Sequence, residues 1–423
     1  MSEKFVIHGG KPLNGIVEVS GSKNAAGPIL ASTILTKEDV IIDNLPLVAD
    51  VINMIEILKG MGAEVDWLSE RKIKVNTRDL DPKKIDSKKI SKARVSVLLM
   101  GSLLARFKNF KIAHPGGDRI GVRPISTHIL ALEKLGTKIS NHSGDSYNFE
   151  TERLHGAEII LKEFSVTATE NLIMAACLSP GMTKISGAAC EPHVQDLGNM
   201  LNKMGAKIKG IGTHTIEIEG VNKLNGVSHS LIPDPIEAGT FIIIGCITHG
   251  DIEVRKINPE HLVLFLDKLE EIGVNFEVRS DSVKVSYSPH LEAVKVQALP
   301  YPGFPTDLLP MFSTLLTQAE GKSLVHDPLY ENRFGHLQEL KKMGADIELV
   351  DPHRALIFGK SPLSGLKIES WDIRAGASLV IAGLMAKGVT TVENIYQIDR
   401  GYEKIEEKLK ALRADIKRVK NII

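Results

Sequence analysis

Cysteine is scarce in this chain of 423 residues, which contains only Cys177, Cys190 and Cys246. Any disulfide scheme leaves one of the three unpaired, and no two are closely spaced, so a disulfide framework is excluded. Two lie in apolar runs (AAC and IIIGC), where the expected role is a small buried side chain. The pattern is typical of a reducing compartment, so we expect a cytoplasmic protein.

Long hydrophobic runs are also missing. The first residues, MSEKFVIHGG, have no apolar core of the kind that a signal peptide needs. The longest apolar runs, such as 241–247, are far too short to cross a bilayer. We therefore predict no insertion into a membrane.

The chain has no net charge, because 52 basic residues balance 52 acidic ones. No bulk field favours nucleic acid or an anionic membrane, so any anion site must come from local placement of cations. No phosphate loop of the GxxxxGK[ST] type and no HExxH is present, and the histidines lack metal-like spacing. A Ser-His-Asp arrangement cannot be argued either.

A sixfold repeat is what the sequence does contain. Segments such as LGNMLNKMGAKIKG and LQELKKMGADIELV recur at intervals of 68 to 74 residues. Each ends a helix-like stretch with glycine, a natural helix C-cap, and leads into two short alternating runs that predict a β-hairpin. Five of the six cap positions are glycine and the last is arginine: Gly62, Gly136, Gly205, Gly273, Gly344 and Arg413.

Each unit consists of helix, strand, helix and hairpin, which predicts an α/β fold of six units with three in each of two domains. The sixth unit runs out of chain, and the segment KFVIHGGKPLNG (4–15) at the other end has the missing pattern. We therefore expect the N-terminal strand to complete the last unit. The predicted domains are 23–232 and 1–22 plus 233–423, with LIPDPIEAG as a crossover.

Unusual polar residues collect at the predicted helix starts. If the units share one orientation, these starts face one side of each domain, where helix N-termini and cations favour anions. One arginine alone would more often pair with a nearby acid, but repeat-equivalent arginines predict a site for a multiply charged anion. The residues are Lys23, Asn24, Arg94, Arg119, Arg123, Ser165, Thr167, Glu191, Asp234, Glu237, Asp307, Arg333, Arg374 and Arg400.

The segment HPGGDRIGVRP (114–124) concentrates glycine, proline and charge between a strand and a helix. Gly116 and Gly117 free the backbone, and Pro124 suits the first turn of the next helix. By itself this pattern is equally consistent with an ordinary surface loop and with a lid. Its position in the repeat favours a mobile lid that carries Asp118 and Arg123.

With these residues in place, the chain closely resembles the UDP-N-acetylglucosamine enolpyruvyl transferase family. The matching segments run along the whole chain: SGSKNAA, KAR, PGGDRIGVRP, SVTATEN, PDPIEAGTF, FPTD, YENRF, DIRAGASLV and IDRGYEKIEEKL. The resemblance implies an inside-out α/β barrel of two domains, each with three βαβαββ units. It also implies transfer of enolpyruvyl from phosphoenolpyruvate to the 3-hydroxyl of UDP-N-acetylglucosamine, the first committed step of peptidoglycan synthesis, without metal or organic cofactor.

The resemblance assigns roles by motif. Lys23, Arg123 and Arg400 should hold the phosphate of phosphoenolpyruvate, and Arg333, Arg374 and Arg400 its carboxylate, with Asn24 close by. Asp307 is the candidate base and Asp118 the candidate acid. The nucleotide sugar should contact Asn24, Arg94, Arg123, Pro124, Ile125, Ser126, Thr127, Glu163, Phe164, Ser165, Val166, Asp307 and Leu329.

Two positions depart from the family pattern. Most members have cysteine where this chain has Asp118, and a carboxylate cannot form the thioether that fosfomycin makes with that cysteine, so we predict fosfomycin insensitivity. With a reference pKa of about 3.9, Asp118 would be protonated in only about one molecule in a thousand at pH 7. Neighbouring arginines would lower its pKa and a bound anion would raise it. Glu163 stands where several members have lysine, which leaves the diphosphate to Ser165 and backbone N–H groups.

Two other functions remain open at this point. The sister family, 5-enolpyruvylshikimate-3-phosphate synthase, shares the fold and phosphoenolpyruvate, although PGGDRIGVRP and IDRGYEKI favour the nucleotide-sugar enzyme. A non-catalytic sensor of UDP-N-acetylglucosamine would explain Asp118 and Glu163 but not the retained Lys23 and Asp307. We expect small-molecule substrates, no nucleic acid, and a monomer or weak homo-oligomer.

Overall fold

The computed structural model describes residues 3–117, 120–142 and 145–420, so the predicted acid Asp118 and its neighbour Arg119 lie outside the described residues. Helices and strands alternate along this part of the chain. The helices are α1 (Lys23–Ser32), α2 (Ala49–Gly60), α3 (Ser87–Ile90), α4 (Leu99–Arg106), α5 (Ser126–Glu133), α6 (Val166–Cys177), α7 (Pro192–Lys203), α8 (Pro235–Ile247), α9 (Val263–Glu271), α10 (Leu309–Leu316), α11 (Gly335–Lys342), α12 (Ile373–Met385), α13 (Tyr396–Asp399) and α14 (Ile405–Ala411).

The strands are short, and most lie in hairpins or at sheet edges. They are β1 (Glu3–His8), β2 (Asn14–Glu18), β3 (Val40–Asp43), β4 (Glu64–Ser69), β5 (Lys72–Asn76), β6 (Asn109–Ala113), β7 (Thr137–His142), β8 (Ser146–Thr151), β9 (Glu158–Ile160), β10 (Met182–Ser186), β11 (Lys207–Lys209), β12 (Thr215–Glu219), β13 (Val227–Ser230), β14 (Asp251–Arg255), β15 (Asn275–Val278), β16 (Ser282–Ser286), β17 (Lys295–Gln297), β18 (Gly321–His326), β19 (Asp346–Asp351), β20 (Arg354–Gly359), β21 (Lys367–Glu369), β22 (Val389–Glu393) and β23 (Asp415–Lys420).

Two compact units divide the chain. The first unit comprises Gly21–Asp118 and Arg123–Ile232, and the second comprises Met1–Ser20, Arg119–Val122 and Pro233–Ile423. That these units are the two domains expected from the sequence, 23–232 and 1–22 plus 233–423, remains a prediction. It kept the whole lid segment with 23–232, whereas the contacts group residues 119–122 with the second unit.

Each repeat forms one small sheet. In the first unit the strand orders are β13-β3-β5-β4, β6-β8-β7 and β11-β12-β10-β9; in the second they are β15-β16-β14-β2, β17-β18-β20-β19 and β21-β22-β1-β23. Four of these six sheets combine a hairpin, which pairs antiparallel with a central strand, and a parallel edge strand from a neighbouring repeat. Among the described residues the sheet β6-β8-β7 has no parallel strand, and in the sheet β21-β22-β1-β23 the strands β1 and β23 take the place of the hairpin. The predicted α/β class and its six units are confirmed.

The N-terminal strand completes the last repeat, as predicted. Strand β1 pairs antiparallel with β23, with Phe5 opposite Arg418, and on its other side with β22. The first residues therefore fill the central place that the sixth repeat lacks.

The helix caps confirm the repeat at the level of the backbone. The glycine at each of the five predicted caps has positive φ, between 85° and 109°. Arg413, in the sixth place, also has positive φ, 72°. An arginine in this conformation is uncommon. The backbone of the repeat therefore requires positive φ at this position, whichever residue occupies it.

The first helix of each repeat is buried. In α8 every residue from Ile236 to Ile247 is buried, and α1, α4, α6, α10 and α12 are similar. Strands such as β12 alternate buried and exposed residues, so one sheet face is solvated. Within each unit the helices lie at the centre and the sheets on the outside, and the N-termini of these helices carry the predicted site residues.

Candidate active site

Lys23 is the first residue of α1, whose N-cap is Ser22: the Ser22 hydroxyl accepts a hydrogen bond from the amide of Ala25 at 3.2 Å. The Lys23 ammonium lies 3.1 Å from a carboxylate oxygen of Asp50, and both side chains are largely buried. Asp50 is the second residue of α2. Asp50 therefore holds the predicted phosphate-binding lysine in place. The sequence analysis did not predict this partner, although an acidic residue at the start of a helix could have indicated it.

The glycine pair of the lid segment packs closely against the segment that contains Arg94. A Cβ on Gly116 would lie 1.9 Å from the carbonyl oxygen of Ser91. At Gly117, where φ is +135°, a Cβ would lie 2.8 Å from Cβ of Arg94. Glycine is required at both positions for close backbone approach, in addition to the freedom that the sequence suggested.

Arg94 and Arg123 both lie near this glycine pair. A Cβ on Gly117 would be 3.5 Å from Nη1 of Arg123. The charge of Arg94 reaches His128: burial, and then Arg94, lower the pKa of His128 to about 3. The His128 ring is therefore neutral, with Nε2 2.8 Å from the hydroxyl of Thr167.

An open cleft of about 430 Å³ lies beside the start of α5. It contains three of the predicted nucleotide contacts, and apolar, aromatic and amide side chains form its other walls. Such a mixture suits a flat, polar-edged ring. The lining residues are His114, Pro124, Ile125, Ser126, Ile129, Ile139, Asn141 and Tyr147.

Five further predicted nucleotide residues, Thr127 and Glu163 to Val166, lie at or near the N-terminus of α6. Ser165 is its N-cap and accepts a hydrogen bond from Ala168 N–H at 3.4 Å, and Val166 is the first helical residue. Glu163 is exposed and accepts a hydrogen bond from the hydroxyl of Thr127 at 2.6 Å. The ring of Phe164 lies 4.6 Å from that of His214. The first unit thus offers a helix N-terminus for an anion, with one carboxylate close to it.

In the second unit, Asp307 is held between two arginines. Arg333 donates to Oδ1 at 2.5 Å and Arg374 donates to Oδ2 at 2.9 Å. Only 2% and 4% of these arginine side chains are exposed, against 29% for Asp307. Within the described part of the chain, Nη1 of Arg374 is buried without a hydrogen-bond partner. Two buried cations, one with an unused donor, make this the strongest anion site in the second unit.

The ion pairs change the acidity of Asp307. Burial by itself would raise its pKa, but the charges and hydrogen bonds of Arg374 and Arg333 outweigh burial and hold the pKa well below its usual range. Burial would lower the pKa of each arginine, and the charge of Asp307 keeps both raised. In this arrangement Asp307 is an ionised ion-pair partner and a weak base.

Arg400 and Leu329 lie on other turns of the second unit. Arg400 is buried and donates from Nη1 to Oε1 of Gln397 at 2.9 Å. The Leu329 amide donates to Oδ1 of Asp327 at 2.9 Å, and its side chain is exposed. A backbone contact of Leu329 with substrate would therefore use its carbonyl oxygen. Asn24, half-buried, follows Lys23 at the start of α1.

We also looked for metal sites, disulfides and membrane-spanning helices among the described residues. Residues 3–117, 120–142 and 145–420 contain no group of three or more His, Cys, Asp or Glu side chains arranged to hold a metal ion. The three cysteines are free and buried, as expected for the two in apolar runs. In the same ranges, no helix combines the length and the apolar character needed to cross a membrane.

The chain belongs to a known protein family. Residues 7–409 match EPSP synthase (3-phosphoshikimate 1-carboxyvinyltransferase). A UDP-N-acetylglucosamine 1-carboxyvinyltransferase from Koribacter versatilis is 46% identical, with 99% of this chain and 96% of that protein covered. One from Caldanaerobacter subterraneus subsp. tengcongensis, named UDP-N-acetylglucosamine 1-carboxyvinyltransferase 3, is 44% identical, with 99% and 100% covered.

Solved structures agree with the fold. The enolpyruvyl transferase NikO from Streptomyces tendae superposes with a TM-score of 0.89 at 24% identity, over 99% of both chains. EPSP synthase from Acinetobacter baumannii gives 0.75 at 17% identity, over 99% of this chain and 100% of the other. These likenesses support the α/β architecture.

Proposed function

We propose that this chain, which belongs to the EPSP synthase family, transfers the enolpyruvyl group of phosphoenolpyruvate to the 3-hydroxyl of UDP-N-acetylglucosamine and releases phosphate. This reaction is the first committed step of peptidoglycan synthesis. The names of relatives 43–46% identical over nearly the whole chain support the acceptor. The buried Asp307–Arg333–Arg374 cluster is the observation that supports the chemistry.

The reaction is an addition followed by an elimination. The sugar hydroxyl gives its proton to a base and its oxygen forms a bond to C2 of phosphoenolpyruvate, while C3 receives a proton from an acid and becomes a methyl group. Loss of a proton from that methyl group then restores the double bond, and the C2–O bond to phosphate breaks. The protein must supply an acid, a base and cations for the departing phosphate.

Asp307 is the proposed base, and the structure suggests how it becomes one. In the arrangement described here both of its oxygens accept hydrogen bonds from arginines. A bound phosphoenolpyruvate carboxylate would compete for the same donors and would use the unpartnered Nη1 of Arg374. Because lost arginine contacts raise the pKa of a carboxylate, Asp307 would gain basicity only when the substrate is present.

Cations complete the proposed phosphate site. Lys23, held by Asp50, and the arginines Arg123 and Arg400 would neutralise the phosphate as it leaves. Asp118 is the proposed proton donor to C3. The cleft at the start of α5 and the N-terminus of α6 would take the uracil and the diphosphate, with Arg94 and Asn24 as further contacts. We place the enzyme in the cytoplasm, which its free buried cysteines support.

Phosphate release tests the proposal and separates the alternatives. Purified protein is incubated with phosphoenolpyruvate and either UDP-N-acetylglucosamine or shikimate 3-phosphate, and free phosphate is measured. Release with the nucleotide sugar alone is the expected result. Release with shikimate 3-phosphate would identify the sister reaction, and release with neither acceptor would favour a non-catalytic sensor.

A further inference from the structure

Glu331 holds the segment that precedes Arg123. Its Oε1 accepts a hydrogen bond from the amide of Val122 at 2.6 Å. The amide of Asn332 donates to the carbonyl oxygen of Ile120 at 3.0 Å. Both contacts lie within the second unit, which includes residues 119–122. Two hydrogen bonds therefore fix the segment 120–122 on the turn that contains Glu331.

Gly121 fits the Glu331 carboxylate closely. Its φ is +150°, which L side chains rarely adopt, and a Cβ on it would lie 2.4 Å from Oε2 and 2.8 Å from Cδ of Glu331. The neighbouring side chains differ sharply, because Ile120 is 4% exposed and Val122 is 81% exposed. Exposure of Val122 means that hydrophobic burial does not hold this end of the segment, and the carboxylate contact does.

The turn that contains Glu331 is itself fixed to the Asp307 cluster. Oδ1 of Asp327 accepts the amides of Leu329 and Tyr330, and its Oδ2 accepts the hydroxyl of Thr306 at 2.6 Å. Thr306 immediately precedes Asp307. Arg333 follows Glu331 by two residues. The same turn therefore carries both the carboxylate that contacts Val122 and the arginine that contacts Asp307.

We propose that Glu331 is a positioning residue for the transfer reaction: its carboxylate fixes residues 120–122, and so sets the place of Arg123, the next residue along the chain. The inference rests on the proposed function for its kinetic consequence. Glu331 itself touches neither substrate nor reacting atoms in this account. The pKa of Glu331 is lowered, first by the Val122 hydrogen bond, so its carboxylate is ionised and accepts strongly at neutral pH.

Alanine and glutamine at position 331 separate positioning from bulk stability. We expect Glu331→Ala to lower kcat by about tenfold to a hundredfold, the range for losing a hydrogen bond to a charged group. The KM for UDP-N-acetylglucosamine should stay within about twofold, because the loss falls on a step after binding. Glu331→Gln keeps an oxygen acceptor and should restore most of kcat. Glu348→Ala, at an exposed position of β19 in the same unit, is the matched control.

Gly121→Ala supplies an independent check. The added Cβ would displace the Glu331 carboxylate, so this variant should lose activity as Glu331→Ala does. If the two residues act through one contact, the kcat of the double variant should be no lower than that of the less active single variant. The two losses would then not be additive. Fully additive losses would overturn a shared role.

Amide hydrogen exchange of residues 120–122 distinguishes this inference from the proposed function. Faster exchange there in Glu331→Ala, with an unchanged melting temperature, supports the positioning contact even if the wild type releases no phosphate with either acceptor. Wild-type exchange and wild-type kcat in Glu331→Ala would overturn it. A glutamine variant as impaired as the alanine variant would also overturn it, because the acceptor oxygen would then not be what matters.

Discussion

The two units bind their proposed ligands with differently prepared sites. In the second unit, Arg333 and Arg374 are buried and already engaged with a carboxylate of the protein. In the first unit, the corresponding helix start at α6 is open, and the exposed Glu163, two residues before its N-cap, accepts a hydrogen bond from Thr127 of α5. A small dianion requires charges desolvated in advance, because burying them at binding would be costly. An extended nucleotide sugar can be held by many weaker contacts on an open surface.

The same comparison explains why a carboxylate recurs beside each key cation. Asp50 holds Lys23 in the first unit, and Asp307 holds two arginines in the second. Each carboxylate holds its cation or cations near a helix start. Asp307 shares its arginines, and Asp50 its lysine, with the proposed phosphoenolpyruvate site, so at both places substrate would compete with a carboxylate of the protein.

Asp307→Asn would test that competition with the largest expected effect. Loss of the base should lower kcat by about a hundredfold to ten-thousandfold. Binding of phosphoenolpyruvate, measured by calorimetry without turnover, should be as tight as in the wild type or tighter, because the internal competitor loses its charge. Asp346→Asn, at an exposed position of β19, is the control. Weaker phosphoenolpyruvate binding in Asp307→Asn would contradict the competition.

Asp118→Cys would sharpen the comparison at the proposed proton donor. We expect the wild type to keep its activity in fosfomycin and the cysteine variant to lose it progressively, because a thiolate is a far stronger nucleophile than a carboxylate and forms a thioether. If residue 118 is the general acid, activity requires its protonated form. The wild type should then lose activity at lower pH than the variant, because the reference pKa of Asp, about 3.9, is below that of Cys, about 8.5.

Stoichiometric inactivation of the wild type by fosfomycin would refute the first part of this prediction. Identical pH profiles in the two proteins would refute the role of Asp118 as proton donor.

Glu163→Lys would probe the open site, where we expect a smaller effect. Replacing a carboxylate near the α6 N-terminus with a cation should lower the KM for UDP-N-acetylglucosamine by about twofold to fivefold, as for an exposed ion pair. The gain should shrink at high salt, since exposed charges are screened. Glu158→Lys, on β9, is the matched control. A higher KM in Glu163→Lys would mean that the Thr127 contact matters more than the charge.

The last prediction concerns stability, and here the two units are alike. Burial, and then nearby arginine charge, lower the pKa of His128 to about 3; for His336, burial outweighs the backbone hydrogen bond and also gives about 3. Between about pH 6.5 and pH 3 the unfolded chain therefore binds more protons than the folded one at both sites. Each histidine should lower the free energy of unfolding by up to about 1.4 kcal/mol per pH unit as the pH falls through this window.

Urea unfolding at pH 7 and pH 5 measures this slope. His128→Gln and His336→Gln should each flatten it, and His155→Gln, at an exposed position in the first unit, should leave it unchanged. Equal slopes in all four proteins would show that neither buried ring stays neutral.

The sequence by itself determined the repeat. Glycine caps at near-equal spacing, alternating hairpins and six apolar helices depend on local backbone and hydrophobic patterns, which a single chain displays directly. It also predicted the joining of the two chain ends, because β1 supplies the pattern that the sixth unit lacks. The residues at helix starts followed from the same logic.

Only the tertiary structure decided how those residues are paired. That Asp307 lies between Arg333 and Arg374, 26 and 67 residues away along the chain, depends on how separate repeats pack. Asp50 beside Lys23 depends on how the two helices of one repeat pack, and the contact of Glu331 with Val122 spans 209 residues. No periodic pattern in the sequence predicts ion pairs and backbone contacts of this kind. Burial and a few ångströms of distance decide whether a carboxylate acts as a base, an anchor or an ion-pair partner.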